Sequence, residues 1–304
     1  MRYPLFLTPS LKDFIWGGDR LPKEYGYETD LPRVAEAWVL SCHPAGSSVV
    51  QNGPYAGWTL PAVLEDWGES GEFPLLIKLI DARDRLSVQV HPDDAYARRV
   101  EGEQGKTEMW YVLDCEPGAQ LLYGVNRELT RAEFAEHIRD NTIHEIARYV
   151  SVKRGDCFFI PAGTLHAIGA GILLAEVQQN SATTYRVSDY GRPGADGKPR
   201  ELHVDKALDV TDLTPTPLNT HGETAAGVRR LATCPYFTAE VWTVAEEMTL
   251  PAIDTFRSLL CLSGAGTLTA HGVDYPVKKG DSVYLPAGSA YTLTDKMDVL
   301  VSRP

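Results

Sequence analysis

The chain reads as a succession of short apolar runs, broken at close intervals by Gly, Pro, Asp and Asn. Runs at Phe73 to Ile80, Leu86 to Val90, Met109 to Leu113, Ala119 to Tyr123, Cys157 to Ile160 and Ile172 to Val177 predict strands. The pattern resumes at Phe237 to Val244, Ser258 to Leu262 and Ser282 to Leu285. Such spacing fits a closed β-barrel or sandwich better than alternating βαβ units, so a mainly β fold is expected. One interval departs from it. Thr130-Arg-Ala-Glu133 has the form of a capping box, with Phe134 and Ile138 then four apart on one helical face. Thr142-Ile-His-Glu145 repeats the signal ahead of Ile146, Tyr149 and Val150 and predicts a second short helix. Further helices are expected around Pro61 to Trp67 and Val204 to Val210.

A repeat organises the whole chain. Lys153-Arg-Gly-Asp-Cys-Phe-Phe-Ile-Pro-Ala-Gly-Thr-Leu-His166 aligns without gaps on Lys278-Lys-Gly-Asp-Ser-Val-Tyr-Leu-Pro-Ala-Gly-Ser-Ala-Tyr291. Such a match implies two related barrels. We expect a first domain at 1–215 with a helical insertion at 127–150, and a second at 216–304. The polar, proline-containing stretch Asp189 to Gly222 is the expected connection.

Composition narrows the function. The net charge is −12, from 29 basic and 41 acidic side chains, which argues against a nucleic-acid partner. A small anionic substrate remains compatible, because a few local cations override the global sign. Five scattered cysteines without a C-x-x-C pair read as free thiols of a reducing compartment. The N-terminus carries Pro4, Lys12 and Asp13 where a signal peptide needs an unbroken apolar core. No apolar run approaches the roughly 20 residues that span a bilayer, so a cytoplasmic protein with no membrane partner is expected.

The repeated unit suggests chemistry. Gly-Asp turns the chain into a short strand, and Pro-x-Gly turns it again, aiming the side chain three positions later inward. In the first copy that residue is His166. Gln89-Val-His91 alternates in an apolar context, so both side chains point to one side of a sheet. Glu108, just ahead of Met109 to Leu113, can face inward from a neighbouring strand. Two imidazoles, a carboxylate and an amide oxygen suit a divalent ion, zinc first. In the second copy Tyr291 replaces His166, and Arg257 stands opposite Glu108, so that copy is expected to bind no metal.

The chain resembles the shorter bacterial type I mannose-6-phosphate isomerases, of the cupin superfamily. The resemblance rests on Ile15-Trp-Gly-Gly18, Glu36-Ala-Trp38, Pro74 to Ala82 and Leu86-Ser-Val-Gln-Val-His-Pro-Asp-Asp94. Gly105-Lys-Thr-Glu-Met-Trp110, Pro161-Ala-Gly-Thr-Leu-His166 and Thr184-Tyr-Arg186 extend it. It implies two cupin (jelly-roll) barrels and interconversion of mannose 6-phosphate and fructose 6-phosphate through an enediol-like intermediate. It implies metal ligands Gln89, His91, Glu108 and His166, and a catalytic arginine at Arg186. Lys106, two residues before Glu108, can share its inward face and meet a sugar or phosphate oxygen. Ser87 can face the same cavity and hold the phosphate, and Glu176 can be a proton-transfer group. Lys106, Glu176 and metal-bound water all remain candidates for moving the proton. Longer members carry a large helical domain between the cupin motifs. Here only the 127–150 stretch stands there, so closure over substrate falls to the segment around Trp16-Gly-Gly18. Another sugar or sugar phosphate as substrate, a non-catalytic sugar-binding cupin and an iron dioxygenase are the competing readings. Retention of all four ligands and Arg186 weighs against the non-catalytic cupin, and the Gln-x-His start and downstream Thr-Tyr-Arg fit a dioxygenase poorly.

Overall fold

The computed structural model describes residues 2–69, 71–194, 197–218, 222 and 224–304. Twenty-two strands against six α-helices among these residues make the protein mainly β, as the apolar runs predict. Six antiparallel strands form one sheet, in the order Cys157–Ile160, Glu108–Cys115, Ile172–Gln179, Leu75–Ala82, Glu36–Leu40 and Ser10–Lys12. Five form another: Tyr185–Ser188, Val88–Val90, His166–Ile168, Gln120–Val125 and Ala147–Ser151. The Trp110 indole on the first meets the His166 ring on the second edge-on at 5.3 Å, so the two sheets face one another. An eleven-stranded sheet takes up the C-terminal part of the chain and also recruits Leu5–Thr8, which pairs with Ser282–Leu285.

The sequence repeat has a backbone cause. Lys153 N donates to Asp156 Oδ2 at 3.0 Å and Lys278 N to Asp281 Oδ2 at 2.8 Å, the same turn twice. Gly155 and Gly163 have φ of 87° and 86°, and Gly280 and Gly288 have 94° and 82°. These are left-handed conformations in which a Cβ is strained, so the motif keeps its glycines. Strand register repeats as well. Ile160 pairs with Glu108, and its counterpart Leu285 pairs with Arg257.

The helix Arg131–Arg139 starts in a complete capping box, with Thr130 and Glu133 each bonding the other's backbone N–H. Phe134 and Ile138 are buried beneath it. The second capping signal fails. Thr142 makes no side-chain cap, its hydroxyl bonding His137 Nδ1 at 2.8 Å instead. That helix is the single turn Ile143–Ile146, and Tyr149 and Val150 lie on the strand Ala147–Ser151. Ladder bonds to Gln120–Val125 outweigh the local helical signal there. The expected connection is more than a tether. Its helix Val204–Val210 buries Ala207 against Phe134 and Ile138, while 195–196 and 219–221 lie outside the described residues.

Trp16-Gly-Gly18 crosses the edge of the six-stranded sheet, with Gly17 bridging to Ala82 and Gly18 to Val34. A Cβ on Gly17 would stand 2.6 Å from Ala35 Cβ, and one on Gly18 would collide with the Asp81 carboxylate. Trp16 is thereby held buried at the wall of the cleft described next. Gly17→Ala is expected to destabilise the fold by about 1–3 kcal/mol, because neither backbone can yield freely. Urea unfolding of the variant beside the parent checks this.

Candidate metal centre and cleft

Two lateral rows of side chains build the site. On the five-stranded sheet Tyr123, His166, Gln89 and Arg186 stand opposite one another on successive strands. His91, two residues beyond Gln89, shares its face. On the six-stranded sheet Trp110, Glu176, Lys78 and Trp38 form the second row. Glu108 and Lys106 precede Trp110 in steps of two and share its face.

His91, Glu108 and His166 are buried, none more than 1% exposed. His166 Nε2 lies 3.1 Å from His91 Nε2 and 3.4 Å from Glu108 Oε1. His91 Nε2 is 3.6 Å from Glu108 Oε2, and the Gln89 amide reaches to 3.4 Å from His166 Nε2. Each imidazole is oriented from behind. Nδ1 of His91 bonds Thr183 O at 2.9 Å, and Nδ1 of His166 bonds Thr164 O at 2.8 Å. A carbonyl only accepts, so both Nδ1 atoms carry the proton and both Nε2 atoms offer lone pairs. Burial, helped by the Lys106 charge, pushes His91 well below its ordinary pKa. Burial brings His166 to about 4. Burial and then the Glu176 charge push the Glu108 carboxyl up to about 7. Neither Glu108 oxygen has a hydrogen bond of acceptable geometry, although Lys106 Nζ lies 2.9 Å from Oε2.

This donor set fits a divalent cation. Tetrahedral bonds of about 2.0–2.1 Å put neighbouring donors roughly 3.3–3.4 Å apart, and the distances above bracket that edge. The Glu108 carboxylate and the facing lone pairs, which Lys106 Nζ approaches at 2.9 Å from Oε2 and 3.2 Å from His91 Nε2, are the groups such an ion would satisfy. Gln89 can turn its amide end over end to offer Oε1.

A cleft of about 480 Å³ opens beside the donors. Lys12, Lys78, Lys106, Arg186 and Arg200 line it against the carboxylates Glu36 and Glu176, so its sign is opposite to that of the whole chain. Ser87, 4% exposed, is also on its wall. Glu176 accepts from Trp110 Nε1 at 2.9 Å and pairs with Lys78 Nζ at 3.0 Å. Burial alone would raise its pKa, but Lys78 and Lys106 outweigh burial and hold it near about 2. Lys106 Nζ lies between the two carboxylates, 4.0 Å from Glu176 Oε1. Arg186 donates from Nη1 to Glu201 O at 2.8 Å, while its Nε is buried without a partner.

Sequence reasoning assigned no role to Lys12, Glu36, Trp38, Lys78 or Arg200. Glu36 Oε2 accepts from Trp38 Nε1 at 2.7 Å and lies 3.7 Å from Lys78 Nζ. The signal was present for Lys78, a lone cation within the eight-residue strand Leu75–Ala82, every residue of which is buried. A buried lysine must find carboxylates, and Glu36 was the acidic residue at two-residue spacing in a neighbouring apolar run.

The titrations give opposing pH effects in the metal-free protein. Between pH 6.5 and about 4 the unfolded chain protonates a His166 that the folded chain keeps neutral. That contribution is full above pH 6.5 and is lost as pH falls. Glu108 acts the other way, holding a proton in the folded state from about 7 down to its ordinary 4.5. The difference between parent and His166→Gln reads that histidine together with its repulsion of a protonated His91. The parent is expected to lose about 3 kcal/mol relative to the variant on going from pH 6.5 to 4. Urea unfolding of both chains across that range checks it.

Comparison with known proteins places the chain in a family. The family model for the phosphomannose isomerase type I catalytic domain matches residues 5–118, and that for the mannose-6-phosphate isomerase cupin domain matches residues 228–304. The chain is 42% identical over 296 residues to the mannose-6-phosphate isomerase ManA of Bacillus subtilis, covering 94% of this chain and 93% of the relative. It is 40% identical over 299 residues to the mannose-6-phosphate isomerase of Streptococcus mutans, covering 94% and 93%. The crystal structure of the mannose 6-phosphate isomerase from Bacillus subtilis superposes with a TM-score of 0.92 at 37% identity, over 99% of both chains. With both segments matched by family models and relatives of this identity spanning nearly its full length, the chain belongs to the type I mannose-6-phosphate isomerase family, a family of aldose–ketose isomerases with a cupin domain.

Proposed function

We propose that this enzyme interconverts mannose 6-phosphate and fructose 6-phosphate at a single divalent ion, zinc by donor chemistry, held by Gln89, His91, Glu108 and His166. The observation that carries the reading is the juxtaposition of three buried donors with a basic cleft. The family membership supports the same substrate pair.

Moving a carbonyl between C1 and C2 passes through an enediol-like species that carries negative charge on oxygen. The bound metal would act as a Lewis acid toward that oxygen. The remaining work belongs to the chain. Arg186 presents an unpartnered buried N–H on the cleft wall and orients the sugar phosphate, with Ser87 beside it as a hydroxyl donor. Lys106, held 3.2 Å from His91 Nε2 and 2.9 Å from Glu108 Oε2, is the cation next to the donors and is placed to transfer a proton at the reacting oxygens. Glu176, paired with Lys78 Nζ at 3.0 Å and 4.0 Å from Lys106 Nζ, holds both cations at the cleft and is also placed to transfer the proton. Trp16, beside Phe14 at the cleft, supports a wall that keeps bulk water from the intermediate.

The same reading takes the facing six- and five-stranded sheets as one cupin barrel within 1–215, and 216–304 as a second, metal-free one. The repeated turn and register support that division. Five free thiols suit a reducing compartment and support a cytoplasmic enzyme.

Chelation is expected to abolish turnover of mannose 6-phosphate and added zinc to restore it, with elemental analysis counting one ion per chain. Full activity in a demonstrably metal-free sample would overturn the proposal. Arg186→Ala is expected to lower kcat/KM by roughly 10–100-fold while metal content stays unchanged, the loss of hydrogen bonds to a charged group. Steady-state kinetics on mannose 6-phosphate and on free mannose checks both this role and the need for the phosphate.

A further inference from the structure

The C-terminal sheet carries a second pocket, of about 390 Å³, at the place equivalent to the metal centre. Its floor includes Arg257, which occupies the ladder position of Glu108, since Leu285 and Ile160 are the matching partners. Arg257 is 6% exposed, yet among the described residues its guanidinium has neither a hydrogen bond nor an ion pair. The register makes this more demanding. Ser258 pairs with Ser302, so one step on Arg257 stands directly opposite Arg303, with Thr238 beyond it in the same row. Both arginines and Thr238 line the pocket. Like charges directly opposite one another in a sheet destabilise it, and the Arg257 guanidinium, with no partner, faces the open pocket.

The pocket's own carboxylates answer this charge only from a distance, Glu240 favouring it through space without pairing with it. Glu240 is engaged by Arg230 Nε at 3.3 Å and by Trp242 Nε1 at 3.1 Å. Asp254 lies on the exposed rim. In the metal centre the equivalent row is Ile160, Glu108 and Gln178, an arrangement that attracts a cation. Exchange of Glu108 for Arg257 and of Gln178 for Arg303 inverts the sign of the place while keeping a cavity there. A planar guanidinium with free N–H donors, a second cation across the strand and a threonine hydroxyl form a set that recognises a tetrahedral oxyanion.

We propose that this pocket is an anion site that binds a phosphoryl group, free or carried on a small metabolite, through Arg257 and Arg303. It is separate from the catalytic cleft and does not depend on the metal. The sign inversion turns a vacated copy of the metal site into a receptor for the charge class that the first copy's substrate also carries.

Calorimetric titration of the metal-loaded full chain with inorganic phosphate, and separately with fructose 6-phosphate, tests this. The parent should show a binding event that Arg257→Gln weakens by roughly tenfold or more, from loss of a charged donor, with kcat and KM unchanged. Tighter binding of fructose 6-phosphate than of phosphate at this event would assign the esterified group, and equal affinity the free ion. Without added phosphate, Arg257→Gln should unfold at a temperature equal to or above the parent's, and phosphate should raise only the parent's further. Identical isotherms in parent and variant would overturn the proposal, as would a variant less stable without phosphate. Should the variant not fold, Arg303→Gln and a phosphate-soaked crystal of the parent decide it. Phosphate in the catalytic cleft with none at Arg257 would overturn it.

Discussion

Two imidazole lone pairs are held 3.1 Å apart beside a buried carboxylate, and the rest of the molecule is arranged around that constraint. Unaided, such a cluster is unfavourable, because both Nε2 atoms repel and the Glu108 charge has lost its water. Nothing local to one strand enforces it. His91 and His166 belong to one sheet and Glu108 to the sheet facing it, so packing of the two faces sets the spacing. Thr183 and Thr164 then fix the imidazole tautomers from behind. A divalent ion bound there would turn three desolvated donors from a cost into a bonded set, and would couple metal binding to folding.

Around the donors, charge is compensated in alternation. Along one lateral row, Trp110, Glu176, Lys78 and Trp38 follow one another, and Glu36 meets Lys78 from the adjacent position. Each buried ion therefore has an opposite ion or an N–H donor within reach, which is the condition for keeping charges in a sheet interior. Lys106 is the exception in kind. Its ammonium borders both Glu108 and Glu176 and also reaches the cleft, so it joins the three-donor cluster to the open space beside it.

Much of this was legible in the sequence, and the reasons are physical. Cys157–Ile160 and Ser282–Leu285 were bounded correctly because glycine turns with positive φ fence them on both sides. The period of two placed Gln89 with His91, and the repeat placed His166. The second capping signal misled because a strand edge at Gln120–Val125 was available to Tyr149 and Val150, and local propensity cannot see a distant edge. Lys78 and Glu36 were passed over for a related reason: their meaning lies in a cross-strand neighbour rather than in their own segments. Recruitment of Leu5–Thr8 into the C-terminal sheet was likewise invisible, since any apolar tetrapeptide of that pattern could add to any edge.

The central claim is that one cation lies among His91, Glu108 and His166. Anomalous diffraction at the zinc edge, from crystals of the active enzyme, tests it most directly. The account predicts one peak, about 2.0–2.2 Å from both Nε2 atoms and from a Glu108 oxygen, with Lys106 Nζ outside the bonding shell. An active enzyme whose anomalous peak lies elsewhere, with these donors still facing one another unbridged, would contradict it.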